Sequence, residues 1–221
     1  MVAPLAPLLS AWRSAPLPDL DGTWAVAPGG RAFALAGLAD QLGSTLLLVV
    51  PGERDAEELV DDLALFVDRV LLAPAWETLP FEHVSPNIAT MAHRAEARHV
   101  LEQQSPAVVV ASVRSAIQRL STSPHQPLVL NQGDETSIDE LSKRLADLGY
   151  ARTDRVEARG EFAVRGGIVD VFPAQLETPV RLDFWGDQLD EIRSFAVATQ
   201  RSDEPLSRME AFPAREVRPD P

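Results

Sequence analysis

Two arginines and a tryptophan are the side chains of this chain that are best suited to bind a partner. In the segment Pro179-Val-Arg-Leu-Asp-Phe-Trp-Gly186, strand alternation places the apolar side chains on one face and the arginine, aspartate and tryptophan on the other. Upstream, the same alternation turns Arg165 away from the core. Guanidinium donors beside a large exposed aromatic ring are typical of anchors in protein–protein interfaces. Arg165, Arg181 and Trp185 are therefore the candidate protein-binding residues.

The same pattern also fits a purely structural arrangement of these side chains. In that arrangement Trp185 lies under a predicted helix of residues 137–149, and the arginines pair with Asp183 or Asp187. Periodicity alone does not decide between an exposed binding face and this internal packing.

A pair of glycines follows the first predicted strand, at the place where α/β domains bind nucleotides. The segment is Ala25-Val-Ala-Pro-Gly-Gly-Arg-Ala-Phe33. It lacks the Gly-Lys-Ser/Thr sequence, and with it the lysine that contacts the β- and γ-phosphates and the hydroxyl that holds Mg²⁺. A strand-to-helix turn without a ligand is the favoured interpretation. We expect no ATP hydrolysis here and no bound cofactor.

Metal and nucleophilic chemistry have no support in the residues. The chain contains no cysteine, which excludes thiolate metal sites and thiol nucleophiles. Its four histidines are dispersed, without an i, i+4 pair, and no Gly-x-Ser-x-Gly sequence occurs. The acidic residues of the predicted helix 54–67 have the pattern of a solvated face. We expect no metal site and no catalytic residue; the histidines are His83, His93, His99 and His125.

Charge and hydropathy limit the possible partners. Thirty-three acidic residues against twenty basic ones give a net charge of −13, which repels the phosphates of DNA and makes unaided duplex binding unfavourable. The longest apolar run, Leu46 to Val50, is too short to cross a bilayer. The N-terminus lacks the basic and apolar regions of a signal peptide. The expected setting is the cytoplasm, with no membrane partner.

The first half of the chain alternates continuous apolar strands with amphipathic helices. Strands buried on both faces have this composition, so the pattern predicts a parallel sheet with helices on each side, an α/β domain. The predicted strands are 23–27, 45–50, 70–73 and 107–111, and the predicted helices are 30–42, 54–67, 89–104 and 112–120.

The second half has a different periodicity. Residues 121–127 indicate a linker, and Ser137 with Glu140 forms a capping box that opens a helix ending near Gly149. Short strands separated by turn residues follow, which favours antiparallel pairing and a small α+β domain. The predicted strands are 160–164, 167–172, 180–185 and 192–197.

Several long motifs resemble the N-terminal region of the bacterial transcription-repair coupling factor family (Mfd). That region is itself similar to the nucleotide-excision-repair protein UvrB, and the resemblance is collinear from about Leu5 to the end of the chain. The motifs are Trp76-Glu-Thr-Leu-Pro-Phe-Glu-His-Val-Ser-Pro86 followed by Arg94, Gly160-Glu-Phe-Ala-Val-Arg-Gly-Gly-Ile-Val-Asp-Val-Phe-Pro173, Arg181-Leu-Asp-Phe-Trp-Gly-Asp187 and Gln200-Arg-Ser202.

The resemblance implies a fold and a domain organisation. Residues 1–125 are expected to form a RecA-like parallel-sheet domain with a degenerate phosphate loop. Residues 126–213 are expected to form domain 2, the smaller α+β domain with antiparallel strands that binds UvrA. Residues 214–221 are expected to begin the return segment to the first domain.

The resemblance also implies a function without catalysis in this chain. Domain 2 of the family recruits UvrA, the damage-recognition ATPase, to RNA polymerase stalled at a DNA lesion, and its contact surface corresponds to Arg165, Arg181 and Trp185. The other partners of the full-length protein are expected to be RNA polymerase, duplex DNA and an intramolecular C-terminal domain. ATP-dependent translocation on DNA would belong to C-terminal motor domains. The alternative is a UvrB-like, nucleotide-dependent subunit that itself binds damaged DNA.

Overall fold

The structure, a computed structural model, describes residues 3–79, 82, 84–120 and 126–216. The chain divides into two compact units, of which the first comprises Met1–Ala75 and Ala97–Arg119 and the second Trp76–Glu96 and Leu120–Pro221. Most of the predicted linker, residues 121–125, and the end of the tail, residues 217–221, lie outside the described residues. The domain boundaries at 125 and 213 stay a prediction.

Helices and strands alternate through the described residues of the first half, and strands dominate those of the second. The helices are α1 Ser10–Arg13, α2 Arg31–Leu42, α3 Glu53–Ala64, α4 Ile88–Gln103, α5 Val113–Ile117 and α6 Ile138–Asp147. The strands are β1 Thr45–Val50, β2 Val70–Ala73, β3 Ala107–Ser112, β4 Leu128–Asn131, β5 Ala151–Arg152, β6 Glu161–Arg165, β7 Ile168–Val171, β8 Val180–Trp185, β9 Gln188–Phe195, β10 Ser202–Leu206 and β11 Arg208–Ala211.

The first unit is built on a parallel sheet with strand order β1-β3-β2. Every residue of the central strand β3 is buried. Val108 and Val110 belong to a core with residues of α2 and α3, including Leu63, whereas Val109 packs with Val100 of α4. Helices therefore cover both faces of the sheet, as the continuous apolar strands predicted. The predicted α/β class is confirmed at this level.

The prediction of a strand at residues 23–27 is wrong. These residues form no regular element, and the Trp24 indole donates a hydrogen bond to the Asp19 carbonyl at 2.9 Å. A run with strand composition needs a neighbouring strand to pair with, and within the described residues the sheet of this unit contains only β1, β3 and β2. The following glycines form a short 3₁₀ turn, Pro28–Gly30, that leads directly into α2.

The second unit contains a six-stranded sheet with strand order β10-β9-β8-β7-β6-β5. All neighbours in it are antiparallel except β5 and β6, which confirms the predicted antiparallel pairing. The Ser137 hydroxyl accepts a hydrogen bond from the Glu140 amide at 3.1 Å and caps α6, as the capping box predicted. Strand β9 begins four residues before the predicted 192, and β4, β5, β10 and β11 were not predicted.

One face of this sheet carries the main core of the unit. Helix α6 contributes Leu141 and Leu145, the first half of α4 contributes Ala92 and Ala95, and the β4–β11 pair adds further apolar side chains. The other face buries only a small cluster. The sheet residues of the main core are Phe162, Val169, Val171, Val180, Leu182, Leu189 and Ile192, and the small cluster contains Val156, Ala163, Phe172 and Phe195.

Tyr150 connects three parts of the second unit through one buried hydroxyl. The hydroxyl donates to the Phe212 carbonyl at 2.9 Å and accepts from the Ala174 amide at 3.0 Å. Burial raises the pKa of Tyr150 well above its ordinary value, while the bond from Ala174 acts in the opposite direction. The phenol is therefore neutral throughout the pH range in which proteins are stable.

We expect Tyr150→Phe to lower the free energy of unfolding by about 1 to 2 kcal/mol, because it removes a partner from two backbone groups while keeping the ring in the core. Urea denaturation followed by far-ultraviolet circular dichroism measures the change. The slope of the transition should stay constant, since the surface exposed on unfolding is unchanged. An unchanged midpoint would mean that these two backbone groups find other partners.

Candidate protein-interaction surface

Strand β8 places its side chains on two faces, as its sequence predicted. Val180 and Leu182 are buried in the main core, whereas Arg181 and Asp183 lie half-buried on the opposite face. Trp185, on that opposite face, is 83% exposed. The side chains of β8 therefore supply both the core and the candidate surface.

Trp185 stands at the end of a hairpin. It pairs with Gln188 of β9, and the intervening turn contains Gly186 at φ 63°, a left-handed conformation that glycine adopts without strain. A side chain this exposed is not packed under α6. The internal arrangement considered for Trp185 is therefore wrong.

Both candidate arginines meet at Asp170 of β7. The Arg181 side chain donates from Nε to Oδ1 at 2.7 Å and from Nη2 to Oδ2 at 3.0 Å. Arg165 donates from Nη2 to the same Oδ2 atom. The Asp170 side chain is only 1% exposed. The structure thus pairs the arginines with Asp170, and not with Asp183 or Asp187 as the internal arrangement proposed.

Sheet register explains why these three side chains converge. Asp170 lies directly opposite Arg181 on β8 and opposite Ala163 on β6, so that Arg165 is its diagonal neighbour. Sequence reasoning missed Asp170, although a signal was present. Val169 and Val171 on either side of it are core residues, and a carboxylate between two buried valines in a strand must face the opposite side of the sheet.

Arg181 has further contacts on the same face. Its Nη1 atom donates to the Gln200 carbonyl at 3.2 Å and to the Ser202 hydroxyl at 3.4 Å, and its guanidinium carbon lies 4.9 Å from the centre of the Phe195 ring. Gln200 holds a left-handed backbone conformation at φ 56°, uncommon for a residue other than glycine. The pKa of Arg181 is raised, chiefly by the hydrogen bond to Asp170.

The turn between β6 and β7 brings Arg165 toward the end of β8. The Phe184 amide donates to the Gly167 carbonyl at 2.8 Å, and a Cβ atom added to Gly167 would lie 3.0 Å from the Phe184 carbonyl oxygen. Only glycine permits this approach without displacing backbone. Arg165 and Trp185 are the last residues of β6 and β8. Because both strands are antiparallel to β7, the two residues lie at the same end of the sheet.

Asp183 is a further acidic side chain of this face, besides Asp170. Burial raises its pKa, Arg181 opposes that rise, and the carboxylate of Glu191, directly opposite on β9, adds to it. A carboxyl group with a raised pKa binds its proton more tightly in the folded than in the unfolded protein. Its ionisation therefore lowers the stability of the fold as the pH rises from the ordinary value of 3.8 through the raised one.

We expect Asp183→Asn to be more stable than the parent chain at pH 7, with a gap that closes as the pH falls below 3.8. The asparagine does not titrate, so the variant lacks the loss of stability that ionisation of Asp183 causes in the parent. Urea denaturation of both proteins at a series of pH values measures the gap. A gap that is independent of pH would contradict the raised pKa.

The residues around the Pro28–Gly30 turn are mainly acidic. A cavity of about 80 Å³ beside the turn is lined by Asp55, Glu58 and Asp62 of α3 together with a single cation, Arg31. Sites for small-molecule ligands usually have volumes of about 300 to 1,000 Å³. Both its size and its carboxylates make this cavity unfavourable for a nucleotide phosphate.

Metal-binding geometry is not found in the described part of the chain. No group of three or more histidine, aspartate or glutamate side chains there converges on one point. His93 lies 3.7 Å from the Glu96 carboxylate on α4, and His83 and His125 are outside the described residues. Over the same residues, no helix has the length and apolar character needed to span a membrane.

Comparison with known proteins identifies the family. The UvrB interaction domain family matches residues 128–217, which include the whole candidate surface. The transcription-repair-coupling factor of Mycobacterium tuberculosis is 40% identical over 204 residues, which cover 87% of this chain and 16% of that protein. The chain belongs to the transcription-repair coupling factor family. It corresponds to an N-terminal module of that family.

Other relatives extend the match beyond mycobacteria. The transcription-repair-coupling factor of Haemophilus influenzae is 34% identical over 199 residues, 88% of this chain and 17% of that protein. That of Escherichia coli is 32% identical over 195 residues, 86% of this chain and 17% of that protein. The chain thus spans about one sixth of the length of these coupling factors.

Proposed function

We propose that this chain is the UvrA-recruiting module of a transcription-repair coupling factor, and that UvrA binds at the surface built by Arg165, Arg181 and Trp185. The observation that carries the proposal is the exposure of Trp185 on the sheet face that also carries Arg165 and Arg181, inside the segment that matches the UvrB interaction domain. A large aromatic ring exposed at the end of a hairpin offers apolar area that a partner pocket can bury, and such rings are among the commonest anchors of interfaces.

The net positive charge of Arg165, Arg181 and Asp170 favours an acidic contact residue on UvrA. Arg165 and Arg181 share the single carboxylate of Asp170, so the three groups together carry one positive charge. The Arg165 side chain is 44% exposed and has further N–H groups to donate. A carboxylate of UvrA that approached Arg165 would form a charge-assisted hydrogen bond, while a UvrA pocket enclosed the Trp185 ring.

The first domain, residues 1–125, is proposed to be a RecA-like scaffold with a degenerate phosphate loop. Residues 126–213 form the UvrA-binding domain, and residues 214–221 begin the return segment to the first domain. The acidic cavity at Pro28–Gly30 supports a module that does not hydrolyse ATP. In the full-length protein, working in the cytoplasm, C-terminal motor domains would translocate on duplex DNA and contact stalled RNA polymerase. A C-terminal domain would mask the UvrA-binding surface at rest.

Calorimetric titration of purified UvrA into the 221-residue chain tests this proposal. We expect saturable binding of UvrA, and no saturable heat when ATP with Mg²⁺ replaces UvrA in a parallel titration. Absence of UvrA binding would overturn the recruitment function. Saturable ATP binding would instead favour the UvrB-like, nucleotide-dependent alternative.

A further inference from the structure

Arg181 is held by internal contacts more completely than Arg165. Its four hydrogen bonds, to Asp170, the Gln200 carbonyl and the Ser202 hydroxyl, compare with the five N–H donors of a guanidinium group. The guanidinium carbon of Arg181 lies over the Phe195 ring, and the Arg181 side chain is 14% exposed. These contacts leave Arg181 little capacity to bind a partner protein.

Arg165 makes fewer internal contacts than Arg181 and is more exposed. Within the described residues, the hydrogen bond to Asp170 is what fixes the guanidinium group of Arg165. The side chain of Arg165 is 44% exposed. An arginine that is free in solution loses rotamer freedom when a partner immobilises it, which weakens binding. An arginine already anchored at one Nη atom loses less and presents its other donors in a defined direction.

We propose that Asp170 is a positioning residue of the UvrA-binding surface. Its buried carboxylate fixes Arg165 in the conformation that meets UvrA, and Arg181 supports Asp170 instead of contacting UvrA itself. This inference rests on the proposed function, and it assigns different roles to the two arginines within that surface.

Charge balance explains why two arginines are needed for this arrangement. A carboxylate that is almost fully buried requires paired charge and hydrogen bonds to remain ionised. Arg181 supplies both through two bonds of 2.7 and 3.0 Å and neutralises Asp170. Arg165 then keeps its positive charge for the partner while one of its nitrogens is held, and the acceptor that it recognises on UvrA is a carboxylate.

A double-mutant cycle tests the inference, with affinities for UvrA measured by calorimetry on the 221-residue chain. Asp170→Asn keeps the size of the side chain and removes the charge. We expect Arg165→Ala to weaken binding about tenfold and Asp170→Asn about fivefold, with the double variant within about twofold of Arg165→Ala alone. Asp170 acts through Arg165, so its effect disappears when Arg165 is absent. A change of stability alone would not produce this coupling.

Additive losses, about fiftyfold in the double variant, would overturn the inference, as would parent-like binding by Asp170→Asn. Arg181→Met gives a second measurement, which decides the question if Asp170→Asn does not fold. Methionine keeps the apolar contact with Phe195 and removes the charge. We expect it to weaken binding less than Arg165→Ala and to be non-additive with it; an additive loss would make Arg181 a direct contact.

Four variants distinguish a wrongly placed UvrA-binding surface from a wrong role for Asp170 within it. If Arg165→Ala and Trp185→Ala both bind UvrA like the parent chain, the surface itself is wrongly placed. If both lose affinity while Asp170→Asn and Arg181→Met do not, the surface stands and only the positioning role of Asp170 falls.

Discussion

Replacing Trp185 by alanine is expected to weaken the complex with UvrA by about 2 kcal/mol, roughly thirtyfold, and to leave the free energy of unfolding unchanged. The two effects separate because the ring is 83% exposed in the chain alone and belongs to neither core of its unit. An exposed side chain contributes little to stability, whereas an aromatic ring buried in a partner pocket is among the largest contributions to an interface.

Calorimetric titration and urea denaturation of the same preparation measure both quantities. Ile117→Ala is a matched control, since Ile117 is also a large apolar side chain, 77% exposed, but lies in the first unit. It should bind UvrA like the parent chain. A graded variant, Trp185→Phe, should keep most of the affinity because it retains most of the aromatic area.

Equal losses in the Trp185 and Ile117 variants would contradict a specific surface, because they would indicate a general response to lost apolar area. Parent-like binding by Trp185→Ala would remove the ring from the interface. Either outcome would leave the family assignment intact, since that assignment rests on sequence similarity along the chain.

Period-two alternation was sufficient to predict the two faces of the candidate surface. It placed Arg181 opposite the core residues of β8 and Trp185 on the same side, because alternation in a strand is a local property of the backbone. The capping box at Ser137 and the buried strands of the first unit were predictable for the same reason. Each depends on neighbours within a few residues along the chain.

Features that depend on distant pairing were not predictable in this way. Strand β4 pairs with β11, almost eighty residues further on, and short apolar runs do not specify such partners. The run at residues 23–27 has strand composition but forms no strand, because tertiary pairing and not propensity decides. The partner of the two arginines, Asp170, became evident only from the register of three strands.

A buried ion pair ties the segment Trp76–Glu96 into the second unit. The Glu216 carboxylate accepts from Nε of Arg94 at 2.9 Å and from the Trp76 indole at 2.6 Å, and both charged side chains are buried. The Arg94 guanidinium carbon also lies 5.7 Å from the centre of the Trp76 ring. Residue 216 is within the segment that matches the UvrB interaction domain, whereas its two partners precede that segment by some 30 to 50 residues.

Glu216→Gln is accordingly expected to lower the free energy of unfolding of the second unit by about 3 kcal/mol, because it removes the carboxylate charge that Arg94 faces in a buried site. The glutamine carbonyl can still accept from the Trp76 indole, so the loss reports mainly on the charge. Urea denaturation followed by tryptophan fluorescence measures it, and binding of UvrA at low temperature should be nearly unaffected while the unit remains folded.

The double variant Arg94→Met with Glu216→Gln separates a charge effect from general damage to packing. Methionine fills much of the arginine volume without a charge, and a buried pair replaced on both sides by neutral groups is often tolerated. We therefore expect the double variant to regain more than half of the stability lost in Glu216→Gln. If it is instead less stable than either single variant, the two residues contribute through packing and separate hydrogen bonds. The ion pair would then not be what holds Trp76–Glu96 to the second unit.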